Sequence, residues 1–220
     1  METLVLFTKP AVPGQVKTRL IGALTAEQAA ELHQTFLDDM VERLGAEGAE
    51  FDTRIAWALA AEEPVPAGPW PGERQRGADL GERLFNSLSR AASHSRRVAA
   101  VGSDHPALAR RDVETAFAAL DAADVVLGPA TDGGYYLVAV RAAALDRRLF
   151  EDIPWSTGGV FEATRARCRQ LGLRLAALDC GSDVDTAEDL RRLAHALAAG
   201  TVECPRTEAL LTSWGGWLPS

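Results

Sequence analysis

Six short, largely apolar runs punctuate the chain: Leu4–Thr8, Arg54–Leu59, Val98–Val101, Asp124–Leu127, Tyr135–Val140 and Leu173–Leu178. Runs of this length bounded by turn residues read as buried strands. Between most of them the apolar residues repeat at helical spacing. Behind Thr25 and Gln28, spaced as a capping box, come Ala29, Leu32, Phe36, Met40, Val41 and Leu44, with Gly45 and Gly48 as the stop. Further helices are predicted over Asp79–Ala92, Ala107–Leu120, Gly159–Leu171 and Thr186–Ala199. Strands alternating with helices imply βαβ units and a mostly parallel sheet. A length of 220 residues suits one α/β domain. The pattern predicts a domain over residues 1–199 and an irregular tail, 200–220, packed back on it. Residues 62–78, with four prolines, read as a loop.

In such sheets ligands bind beyond the carboxyl ends of the strands, and the chemically unusual residues fall there. The first run leads through Lys9 into Pro13-Gly14-Gln15-Val16-Lys17-Thr18-Arg19-Leu20. Glycine lets a backbone approach a ligand, and Lys17 and Arg19 offer donors for phosphate. A solvated loop with two surface cations fits the same residues. Neither GxxxxGK[ST] nor GxGxxG occurs here, which sets aside a P-loop and the classical dehydrogenase signature.

Gly102-Ser103-Asp104-His105-Pro106 places a carboxylate just past a strand. Asp104 could hold a divalent cation against a phosphate, or Ser103 or Asp104 could cap a helix starting near Pro106. His105 reads as a loop histidine, a base or a ligand. Asp132-Gly133-Gly134 precedes a strand and reads either as a tight turn or as backbone open to a ligand. In Asp183-Val184-Asp185-Thr186, a capping box accounts for Asp185 with Glu188 or Thr186 with Asp189, leaving Asp183 free for a metal. Gln75 to Arg83, around Asp79 and Gly81, could hold a base or ribose, or be a plain loop-to-helix junction.

The net charge of -8 and pI near 5.1 speak against a nucleic-acid partner. No run approaches the roughly 18 apolar residues of a membrane helix. Cys168, Cys180 and Cys204 form no CxxC pair and are odd in number, which suggests reduced thiols and a cytoplasmic protein.

Taken together, four blocks resemble a bacterial glycosyltransferase-A-type family often labelled arsenosugar-biosynthesis glycosyltransferase-like. They are Phe7–Pro10 through Pro13–Leu20, Asp79–Arg83, Gly102–Asp104 with Pro106, and Gly128–Tyr135. Ile153–Thr157 and Asp183–Thr186 add two more, so the resemblance spans residues 3–197. That family is similar in fold to molybdopterin and 2-phospho-lactate guanylyltransferases.

The resemblance implies a single-domain nucleotide-diphospho-sugar transferase fold and a Mg²⁺- or Mn²⁺-dependent transferase using a nucleotide-sugar as glycosyl donor. Nucleotidyl transfer from a nucleoside triphosphate, or nucleotide binding without catalysis, are the alternatives. It implies that Gly14, Lys17 and Arg19 hold the nucleotide phosphates, that Asp104, Lys17 and Arg19 carry the chemistry, and that Lys9, Gln75, Asp79 and Gly81 help hold the nucleotide. Asp132, Gly133, Gly134 and Trp155 would face the acceptor or sugar. Asp104, with Asp183 or Asp185, would take the metal. The partners are then a nucleotide or nucleotide-sugar and a small acceptor, with a homodimer left open. The glycine-rich start of guanylyltransferases carries more glycines than Pro13-Gly14 does.

Overall fold

The computed structural model describes residues 1–45 and 48–217. Among the described residues seven strands form one sheet: β1 (Glu2–Thr8), β2 (Asp52–Trp57), β3 (Gly72–Arg74), β4 (Arg97–Gly102), β5 (Val125–Pro129), β6 (Tyr135–Arg141) and β7 (Leu175–Ala177). Their spatial order is β3-β2-β1-β4-β6-β5-β7. All neighbours are parallel except those of β6, which runs antiparallel to β4 and β5. The chain is a single α/β domain. The central strands are buried on both faces, as their near-continuous apolar sequences require.

Among the described residues there are six α-helices: α1 (Ala26–Leu44), α2 (Leu80–Ala92), α3 (Arg110–Ala119) and α4 (Val160–Gln170) pack on the sheet, while α5 (Ala187–Ala198) and α6 (Pro205–Trp214) pack with α1. Alternate residues of β1 divide between the two faces. Leu4 and Leu6 pack with α1 and α3, whereas Val5 and Phe7 pack with α2 and α4. The capping box at Thr25 and Gln28 is formed, with both reciprocal hydrogen bonds, and a second one joins Thr186 to Asp189.

Three details differ from expectation. Within the proline-rich 62–78 stretch, Gly72–Arg74 adds to the sheet edge as β3. Helix α3 starts at Arg110 rather than near Ala107, so neither Ser103 nor Asp104 caps it; the Asp112 carboxylate accepts from Ala109 N instead. The tail expected to be irregular contains α6. That helix is seated by Asp39, buried on α1, whose carboxylate accepts from Arg206 N (3.0 Å), Thr207 N (2.9 Å) and Thr207 Oγ1 (2.7 Å). A cap donated by another helix is invisible to local patterns. The last three residues of the expected tail, 218–220, lie outside the described residues. Among the described residues no helix is long and apolar enough to cross a membrane.

Candidate active site

The parallel order puts the ends of β1, β4, β5 and β7 at one edge of the sheet. The hairpin between β5 and β6 turns at the same edge. Residues far apart in sequence meet there.

Lys17 is central. It sits in the left-handed region (φ 46°), and its side chain is 2% exposed. Its Nζ bonds to Asp104 Oδ1 and donates to the Val184 carbonyl at 2.8 Å. It also reaches Asp185 Oδ1 at 3.4 Å and stands 5.6 Å from the Phe36 ring centroid. An ammonium has three donors, and these three acceptors use them all. Lys17 therefore ties the β1 loop to the β4 end and to the segment after β7. Arg19 leans on the same Asp185 at 3.4 Å but is 75% exposed, with most of its guanidinium free.

Asp104 gives one oxygen to Lys17, while about half of its side chain remains exposed. Enclosure by the surrounding loops raises its proton affinity. The Lys17 ammonium outweighs this by charge and hydrogen bond, so the carboxyl titrates below its ordinary value. Asp183 behaves oppositely. Burial, followed by the negative charge of Asp104, pushes it up to about 7. Asp185 and Asp132 add to the rise, which places all four carboxylates in one electrostatic neighbourhood. Among the described residues, no three His, Cys, Asp or Glu side chains stand close enough to form a metal cage by themselves.

The β5–β6 turn borders this group. Gly133 N donates to the Ala130 carbonyl, and Gly134 N donates to Asp132 Oδ1 at 2.8 Å. Gly133 has φ +87°, and a Cβ there would collide with the Gly158 carbonyl oxygen. Trp155 is three residues before Gly158. Its indole packs edge-on to Tyr135 and fills the space beside Gly81, where a Cβ would meet it at 2.7 Å.

The remaining expected residues divide. Lys9 is near the site, its ammonium folded onto the Gln15 carbonyl at 2.7 Å. Gly14 (φ +77°) makes the turn of that loop and faces open space. Gln75 donates to the Thr8 and Ala56 carbonyls, closing the ends of β1 and β2. Asp79 is turned onto its own helix, where it caps α2 by accepting from Glu82 N. Gly81 is a packing position against Trp155 and Phe150. Asp79 and Gly81 line a separate cavity of about 210 Å³ with Glu82, Phe85 and Arg147.

The sequence reading gave no site role to His33, Thr8 or Ser103. The Thr8 hydroxyl donates to Ser103 Oγ at 2.9 Å and lies 3.3 Å from His33 Nε2, which also contacts the Lys9 carbonyl at 3.0 Å. This buried chain ties the end of β1 to α1 and to Ser103, the residue before Asp104. Its signal was present: His33 falls on the apolar face of α1, between Ala29 and Phe36.

The chain overlays on a protein of Desulfovibrio desulfuricans G20 proposed to be a nucleotide-diphospho-sugar transferase. The TM-score is 0.90 at 30% identity, covering 96% of this chain and 94% of that one. More remote is a CMP:2-keto-3-deoxy-manno-octonic acid synthetase complexed with CTP (TM-score 0.56, 15% identity, 91% and 99% covered). Another is the 2-C-methyl-D-erythritol 4-phosphate cytidylyltransferase of Thermus thermophilus (0.51, 16%, 96% and 98%). The last two likenesses show the fold alone. No curated protein sequence matches the chain. The model of the family described as "Uncharacterized protein conserved in bacteria (DUF2064)" matches residues 11–157, about two thirds of the 220, and the chain belongs to that family.

Proposed function

We propose that the chain transfers a glycosyl group from a nucleotide-sugar, with Mg²⁺ or Mn²⁺ at Asp104. The chain is an enzyme of the transferase kind, and the name given to the Desulfovibrio protein supports the nucleotide-sugar reading. The observation that carries the proposal is the state of Asp104. It caps no helix, it is held ionised by Lys17, and half of its side chain stays exposed at the ligand-binding edge of the sheet.

The donor set suits a hard cation. Its oxygens come from Asp104 and Asp183, and Mg²⁺ asks for only one or two carboxylates when phosphates and waters supply the rest. Bound there, such an ion would neutralise charge that develops on the departing nucleotide phosphate.

The protein's own groups do the remaining work. Lys17 fixes the Asp104 carboxylate and the Asp183–Asp185 segment and has no donor left for substrate. Phosphate binding thus falls to the exposed Arg19, to Lys9 and to the amides of the turn at Gly14. Arg19 need only exchange a 3.4 Å contact with Asp185 for a phosphate. The Asp132–Gly134 turn and Trp155 border the acceptor side, where Asp132 is exposed.

Nucleotidyl transfer from a nucleoside triphosphate is the second reading, favoured by the cytidylyltransferase-type fold of the remote neighbours. Thermal shift across nucleoside triphosphates and nucleotide-sugars, each with and without Mn²⁺, separates the two. Stabilisation by a nucleotide-sugar with release of free nucleotide on acceptor addition supports glycosyl transfer. Pyrophosphate release from a triphosphate supports the second reading. No shift with any nucleotide rejects both.

A further inference from the structure

We infer that His105 is a positioning residue for this site: its Nδ1–H holds the strand-end segment that presents Asp183 to Asp104. The inference rests on the reading of Asp183 as a metal-site carboxylate. His105 is buried, and its Nδ1 lies 2.9 Å from the Ser182 carbonyl oxygen. A carbonyl can only accept, so Nδ1 carries a proton and donates it to Ser182. The same nitrogen is 3.8 Å from Asp183 Oδ1.

The ring itself cannot drift. It stacks on Tyr136 with centroids 4.5 Å apart, and Gly181 closes over both rings with no room for a Cβ. Two further bonds run alongside. Val184 N donates to the Asp104 carbonyl at 2.9 Å, and Lys17 Nζ bonds to the Val184 carbonyl. Ser182 and Val184 are thus pinned by the β4 end and by Lys17, and Asp183 lies between these two attachments. Removing a group that orients a metal-site carboxylate typically costs about 10–100-fold in metal affinity.

The test separates the donor from the ring. His105→Phe keeps the stack on Tyr136 and loses the donor. His105→Asn loses the stack but places an amide N–H where Nδ1 was. Mn²⁺ affinity is read by electron paramagnetic resonance in the presence of the nucleotide that stabilises wild type most, and melting temperature is read by circular dichroism. Expected are a Mn²⁺ affinity about 10–100-fold weaker in His105→Phe and near wild type in His105→Asn, whatever the order of their melting temperatures. Should His105→Phe not fold, His105→Gln, whose amide reaches the Nε2 place instead, stands in as the variant without the donor. Wild-type affinity in the donor-less variant, or equal losses in both variants, overturns the inference. Failure of wild type to bind Mn²⁺ with any nucleotide instead removes the functional reading beneath it.

Discussion

The Lys17 ammonium, almost wholly buried, is bonded directly to the half-exposed carboxylate of Asp104. One partner is sealed inside the fold and the other faces the ligand edge, so the pair links stability to the site. Lys17→Met removes the donor from Asp104, the Val184 carbonyl and Asp185 together. It is expected to cost about 2–4 kcal/mol in urea unfolding, the scale of a broken, mostly buried ion pair. Arg19→Ala, by contrast, is expected to leave stability within about 0.5 kcal/mol while weakening nucleotide binding by about 1–3 kcal/mol. Equal stability losses in the two variants would contradict this division of roles.

Adjacent glycines in the β5–β6 turn are expected to behave differently. Gly133→Ala forces a side chain into a left-handed backbone and against the Gly158 carbonyl, at a cost of at least about 2 kcal/mol. Gly134→Ala meets only the movable Asp132 carboxylate, at 3.1 Å, and should fold normally. Thermal melts of the two proteins decide the matter.

Most of the frame was legible from residues alone. β1, β4, β5 and β6 are apolar runs too regular to be anything else, and Thr25 and Thr186 announce their helices by side chains that act locally. β3 escaped because three residues among prolines and glycines carry no period. α6 escaped because Asp39, 166 residues before Pro205, satisfies its first turn. At the site, the sequence put Asp104 and Lys17 at strand ends but left their roles open. The cap reading for Asp104 fell only when α3 proved to start six residues later. The burial of Lys17 depends on Phe36, Val184 and Asp185 arriving from elsewhere, which no local pattern encodes.

Asp39→Ala tests the α6 seat. It leaves the Arg206 and Thr207 amides and the Thr207 hydroxyl without an acceptor, and Thr207 is fully buried. A loss of about 2–3 kcal/mol is expected, with earlier proteolysis just before Pro205. Unchanged stability and cleavage would mean that α6 is held by its apolar face alone.

The Asp124 carboxylate joins β7 to the sheet by accepting from Arg174 N and Nε at 3.0 Å and from Nη2 at 3.1 Å. The Arg174 hydrogen bonds hold its pKa at about 2, below the ordinary 3.8. A depressed carboxyl contributes stability that is complete above the unfolded value and is lost as pH falls toward 2. Asp124→Asn is therefore expected to lower stability by about 1 kcal/mol at pH 7 and to flatten the decline between roughly pH 4 and pH 2. Parallel acid limbs for the two proteins would rule this out.

The central claim is that Asp104 binds a divalent metal together with nucleotide phosphate, and Asp104→Asn tests it most directly. Asparagine keeps the size and can still meet Lys17, so only about 1–2 kcal/mol of stability should go. The measurement is the change in melting temperature on adding nucleotide, with and without Mn²⁺, in wild type and variant. The expected result is a Mn²⁺-dependent rise in wild type that is absent in Asp104→Asn. The same Mn²⁺-dependent rise in both proteins would contradict the account.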